Sequence, residues 1–182
     1  MYLDGFKSER LFIRPLSKRD IPVWTEFFFD ESVFPYIGLD NSKDSCEHSK
    51  IWIERQLKRY QEGTYGLMAM VTIDRLELVG QCGLITMNTE NERELEVGYH
   101  LIKRYRGKGY ASEVTALFRD YVFVNNLADT FIAVINVNNR PSMRVAESAG
   151  LRREKETKCM NKPAFRYVMT RDEWLEMKET EN

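Results

Sequence analysis

Arg104-Tyr105-Arg106-Gly107-Lys108-Gly109-Tyr110-Ala111-Ser112 joins a strand-like segment, Glu94 to Lys103, directly to a helix-like one, Tyr110 to Asn126. Ala111, Val114, Leu117, Phe118, Tyr121 and Val122 give that helix one apolar stripe. A turn of this kind aims backbone N–H groups and the positive end of a helix at one spot, and its two glycines leave no Cβ in the way of an anion. Arg104, Arg106 and Lys108 add three cations, so the stretch reads as a cradle for a phosphate or pyrophosphate. The GxxxxGK[ST] spacing of a Walker A loop is absent, and the GxGxxG/A dinucleotide fingerprint fails at Ser112. Taken alone, the loop also fits a nucleotide-binding protein of another kind, or a surface turn with solvated charges.

Working outward, Arg10 to Leu16 alternates polar and apolar residues as a strand does, and Asp20 stands where it would cap a helix over Ile21 to Asp30, which Phe34-Pro35-Tyr36 ends. A second helix is expected over Ser42 to Glu62, with Gly63 just beyond. Tyr65 to Asp74, Leu78 to Met87 and Glu94 to Lys103 read as an antiparallel meander, with a polar loop Asn88 to Arg93 before its last strand. Beyond the Tyr110 helix come a strand Thr130 to Val137, a helix Asn139 to Ala149 closed by Gly150, strands Leu151 to Lys158 and Ala164 to Thr170, and a terminal helix opening at Asp172. The order β α α β β β α β α β β predicts an α/β (α+β) chain: a mixed, mostly antiparallel sheet of about seven strands flanked by helices, with one crossover that makes a parallel pair. The mouth of such a pair is a usual place for a ligand. Ala164 to Thr170 is expected to be an exposed terminal strand able to pair between protomers, which leaves monomer and homodimer both open.

At 182 residues the chain is expected to be a single domain, 1–182. Lys and Arg number 27 against 28 Asp and Glu, a net charge of −1, so no overall field draws it to nucleic acid or to a membrane surface and any anion site is local. Apolar residues at 43% suffice for a core. No apolar run approaches the roughly 18 residues of a membrane span, and Met1 to Leu11 has no leader-like apolar segment, so a cytoplasmic protein is expected. Cys46, Cys82, Cys159, His48 and His100 show neither a disulfide framework nor metal-ligand spacing.

Arg104, Gly107 and Gly109 match the (Q/R)xxGx(G/A) motif, and with its preceding strand and following helix the chain resembles the GNAT superfamily of N-acetyltransferases. Ser8-Glu9-Arg10-Leu11-Phe12-Ile13-Arg14-Pro15-Leu16, Glu96-Val97-Gly98-Tyr99, Asn139-Arg140-Pro141-Ser142, Gly150-Leu151 and Tyr167 to Trp174 are similar to the ribosomal-protein N-terminal acetyltransferase branch. The resemblance covers nearly the whole chain. It implies a GNAT fold, acetyl-CoA as co-substrate with no metal, and an amine acceptor, either a small molecule or a protein N-terminus, attacking directly in a ternary complex. It further implies that Tyr99, His100, Leu101 and Ile102 hold the pantetheine arm through their backbone, as an added strand would be held. The pyrophosphate would sit on Arg104, Arg106, Gly107, Lys108, Gly109, Tyr110 and Ala111.

An amine attacks a thioester only when neutral, so a base is useful. By the resemblance that base is Glu96, with Glu94 two residues earlier on the same strand face; both are equally readable as solvent-facing residues of a half-exposed strand. A backbone N–H near Tyr99 would polarise the thioester oxygen. The tyrosine that protonates the departing thiolate in much of the superfamily is replaced by Ala146, and Ser142 takes that role in the resembling branch, with Asn139 reaching the pantetheine. Asn139 is also a good helix N-cap, with Ser142 in the first turn. Most of the N-terminal aromatics are expected in the core, with one or two, such as Phe34 and Tyr36 beside Pro35, at an acceptor pocket. The alternative function is a non-catalytic acyl-CoA-binding or regulatory module that keeps the loop and uses neither base nor acid.

Overall fold

The computed structural model describes residues 3–39, 42–86 and 94–181; Met87 and the expected loop Asn88 to Arg93 lie outside them. Strands β1 (Leu11–Arg14), β2 (Leu67–Thr72), β3 (Leu78–Thr86), β4 (Glu94–Leu101), β5 (Thr130–Asn136), β6 (Arg152–Cys159) and β7 (Lys162–Thr170) form one sheet in the order β1-β2-β3-β4-β5-β7-β6. Among the described residues six α-helical segments accompany them: α1 (Ile21–Trp24), α2 (Phe34–Ile37), α3 (Ser45–Gln61), α4 (Tyr110–Val124), α5 (Arg140–Ser148) and α6 (Arg171–Glu181). The crossover through α4 makes β4 and β5 parallel, with Glu94–Glu96 facing Thr130–Ile132, while β1/β2, β2/β3, β5/β7 and β6/β7 are antiparallel. The described residues pack as two compact units, the first within Met1–Gly83 and Tyr99–Val114, the second within Leu84–Gly98 and Thr115–Asn182.

In the first unit β2 is buried at every position, which is why Leu67-Met68-Ala69-Met70-Val71-Thr72 reads as a continuous apolar run rather than an alternation. Gly80 and Gly83 of β3 are fixed by close backbone approach: a Cβ on Gly80 would lie 2.3 Å from the His100 carbonyl oxygen, and one on Gly83 2.3 Å from that of Gly66. α3 starts as its sequence dictates, the Asp44 carboxylate accepting the Glu47 N–H at 2.8 Å. The expected helix Ile21 to Asp30 does not run through. Asp20 gives its carboxylate to Arg14 and to the Ser17 N–H instead of capping, α1 lasts one turn, and a 3-10 segment Thr25–Phe29 follows. The tighter segment turns Phe27 and Phe28 inward beside the buried Trp24 of α1 and leaves Phe29 69% exposed. Phe34-Pro35-Tyr36, expected only to end that helix, instead builds α2, with Pro35 in the first turn where no N–H is needed and Gly38 closing it at φ +70°.

In the second unit β7 lies inside the sheet, between β5 and β6. The expectation that Ala164 to Thr170 is a free terminal strand is therefore wrong: the edge is β6, whose Arg152-Arg153-Glu154-Lys155-Glu156 run is exposed and charged and so resists further pairing. β7 takes the interior place because Ala164, Tyr167, Val168 and Met169 are buried there, whereas β6 has little apolar area to bury. α5 is tied to the sheet by the Tyr167 hydroxyl on the Glu147 carboxylate at 3.1 Å, and the carbonyl of Ala149, the residue that caps its C-terminal end, accepts from Arg119 at 2.7 Å. Phe123 packs against Phe131 and Trp174.

Candidate active site

The loop after β4 sits in the first unit and has the geometry its glycines suggest. A single 3-10 turn, Lys103–Tyr105, leads to Gly107 at φ +75° and Gly109 at φ +83°, conformations that strain any residue with a Cβ. The N–H groups of Gly107, Lys108, Gly109 and Tyr110 meet no acceptor among the described residues. Four successive unspent donors in front of the 15-residue α4 make the concavity that oxyanions occupy.

The cations are arranged differently from the picture of three charges around an anion. Arg104 pairs with Glu26 and lies over the Tyr105 ring. Arg106 donates to Asp30 at 2.5 Å and to the Leu101 carbonyl at 3.0 Å, which fastens the loop to the end of β4. Lys108 is exposed and lies 5.3 Å over the same Tyr105 ring. Burial acts to raise the Asp30 carboxyl, but Ser32, Arg106 and Lys103 together hold it below the ordinary value. Along β4 and just past it, Tyr99, His100 and Leu101 are half-buried and Ile102 is buried. The His100 ring packs edge-on to Phe27 and Trp52, and desolvation, with Arg106 nearby, pushes its pKa down to about 4. At neutral pH it is therefore an uncharged member of an aromatic cluster. Phe34 is buried in that cluster against Phe28 and His48, whereas Tyr36 is 37% exposed.

In the second unit the structure separates the two glutamates. Leu95 and Val97 point into the core, which sends Glu94 and Glu96 to the other face of β4. Glu94 is committed to Arg166 at 2.6 Å, and Arg166 also pairs with Glu154. Glu96 meets no cation among the described residues; its Oε1 accepts the Val134 N–H at 3.2 Å, two residues beyond the end of the β4–β5 pairing at Ile132. Burial raises the Glu96 carboxyl to about 7, the Val134 bond acting the other way. Neither acid is a free surface charge.

Ser142 lies in the first turn of α5, and the Asn139 Oδ1 accepts its N–H at 3.3 Å, so Asn139 serves as the N-cap that its position also suggested. Ala146 is fully buried. Among the described residues no group of three or more His, Cys, Asp or Glu is placed to hold a metal ion, and no helix is long and apolar enough to cross a membrane.

Sequence reasoning missed the acidic partners Glu26 and Asp30, the Arg166 tether on Glu94, and Arg10, which touches the loop from a distance of 98 residues along the chain. Only Arg10 carried a signal, as part of the Ser8 to Leu16 motif, and that motif says nothing of what it contacts.

Comparison with known proteins agrees with this architecture. A family model described as Acetyltransferase (GNAT) domain matches residues 10–152. The protein YkkB of Bacillus subtilis (strain 168), itself uncharacterized, is 30% identical over 164 residues, 88% of this chain and 92% of that one. The crystal structure of a GNAT-family acetyltransferase from Bacillus anthracis superposes with a TM-score of 0.73 at 26% identity, covering 91% of this chain and 98% of that one. Mycobacterium smegmatis RimJ, solved in complex with CoA-disulfide, shares the fold with a TM-score of 0.71 at 16% identity, covering 96% and 95%.

Proposed function

Because the chain belongs to the GNAT acetyltransferase family, whose fold it has, we propose that it transfers the acetyl group of acetyl-CoA to a primary amine, a protein N-terminus being the foremost candidate. The observation that carries this reading is the run of four unspent N–H donors, Gly107 to Tyr110, at the head of α4, which suits a pyrophosphate. The leaning toward a protein N-terminus rests on the sequence motifs from Ser8 to Leu16 and from Asn139 to Ser142. The pantetheine arm pairs with the backbone of Tyr99, His100, Leu101 and Ile102, and Arg104 and Arg106 hold the loop in shape through Glu26 and Asp30.

In the reaction the neutral amine nitrogen attacks the thioester carbonyl and passes one proton to Glu96. The carbon–sulfur bond breaks, and the Ser142 hydroxyl gives its proton to the leaving thiolate and regains one from solvent, as Glu96 later releases the proton it took. The products are an N-acetylated amine and the CoA thiol. A carboxyl raised to about 7 suits a general base, because its pKa lies near the working pH, where it can both take and release a proton. Glu94, held by Arg166, balances charge on the same face.

The test is thiol release from acetyl-CoA in the presence of peptides with free N-termini, polyamines and amino acids. Acceptor-dependent release, lowered in Ser142→Ala with acetyl-CoA affinity unchanged, is the expected result. Binding without release by any amine contradicts the enzyme and is what a non-catalytic acyl-CoA-binding module, favoured by the missing acid at Ala146, would give.

A further inference from the structure

Resting on acetyl-CoA binding at the Gly107–Tyr110 turn, we propose that Arg10 is the positioning residue that presets the turn for the pyrophosphate. Its guanidinium makes three separate contacts there: Nη1–H to the Lys108 carbonyl at 2.8 Å, Nε–H to Glu113 Oε2 at 2.7 Å, and its plane over the Tyr110 ring at 4.8 Å. Glu113, in the first turn of α4, is itself held by the Ser8 hydroxyl at 2.6 Å and the Arg10 N–H at 2.8 Å. Ser8 is fixed in turn by bonds to Leu11, so the entry to β1 braces the glycine turn from behind. Burial acts to raise the Glu113 carboxyl, but Ser8 and Arg10 bring it below the ordinary value, so it stays charged at neutral pH.

The physical consequence follows from peptide planarity. In a trans peptide the C=O and the next N–H point to opposite sides. Drawing the Lys108 oxygen onto Arg10 therefore turns the Gly109 N–H away from Arg10, where it meets no acceptor among the described residues. Two glycines within three residues would otherwise let this peptide flip at little cost, and a flipped peptide presents a carbonyl, not a donor, to the phosphate. Arg10 Nη2 also stands 3.1 Å from where a Cβ on Gly109 would be, so the guanidinium fills the space behind the turn. The lysine of Arg10→Lys keeps a charge for Glu113 but has no planar fork to hold Glu113 and the Lys108 carbonyl together.

The experiment measures acetyl-CoA affinity, KM and kcat, and the melting temperature for wild type, Arg10→Ala and Arg10→Lys. Arg10→Ala is expected to weaken acetyl-CoA binding and raise its KM about tenfold or more while kcat stays within about twofold, a loss confined to donor binding. Arg10→Lys is expected to recover most of the melting temperature and little of the affinity, a split that a merely structural ion pair would not produce. If Arg10→Ala fails to fold, Arg10→Lys alone decides. Wild-type affinity in either folded variant, or affinity recovered in parallel with melting temperature, overturns the role of Arg10 and leaves acetyl-CoA binding standing. Absence of acetyl-CoA binding by the wild type overturns both.

Discussion

Glu96, the proposed base, is the residue where a change of protonation would be read in both rate and stability. A carboxyl raised by burial binds its proton more tightly in the folded chain than in the unfolded one. Its contribution to stability is therefore complete below the ordinary value near 4.5 and is lost as pH rises to about 7. Glu96→Gln keeps an oxygen for the Val134 N–H and never ionises. We expect it to melt above the wild type at about pH 8 and level with it at about pH 4 in thermal denaturation, and to lower kcat by about 10²–10⁴-fold with removal of the rise in rate around pH 7. Equal melting at the higher pH would show that the carboxyl is not desolvated. The pair Glu94 and Glu96 was legible in the sequence because strand periodicity puts both on one face. Which of the two takes a cation was not, because Arg166 reaches Glu94 across 72 residues of chain.

At the level of elements, the features that read correctly are those whose cause is local. The glycine turn, the Asn139 cap of α5 and the apolar stripe of α4 each depend on residues within a few positions of one another. The segment from Ile21 to Ile37 read wrongly because a distant demand wins there: Arg14 takes the Asp20 carboxylate, and three aromatic side chains must turn into one core. Gly80 belongs to the same class of non-local constraint, and no pattern in β3 announces the His100 carbonyl 2.3 Å from its missing Cβ. Gly80→Ala is expected to destabilise the fold by about 1–3 kcal/mol, because the close neighbour is backbone and cannot rotate aside. Urea denaturation checks this, and an unchanged midpoint would mean that β3 and β4 are free to separate.

For the molecule as a whole, strand order was legible in the meander that runs β2–β3–β4 and at the crossover from β4 to β5. The insertion of β7 between β5 and β6 was not, because the choice depends on which hairpin strand has the apolar face to bury. Asp20, Asp30 and Glu113 all titrate below their ordinary values, so the stability they contribute is present above those values and is lost in acid, opposite in sign to Glu96. The acetyl-CoA reading depends most on the glycine turn, where a valine at position 109 would meet both the strain of φ +83° and the guanidinium of Arg10. The most direct measurement is a calorimetric titration of acetyl-CoA into wild type and Gly109→Val. We expect saturable one-to-one binding by the wild type and none by a folded Gly109→Val; no heat from the wild type, or equal binding by both, would contradict acetyl-CoA use at this turn.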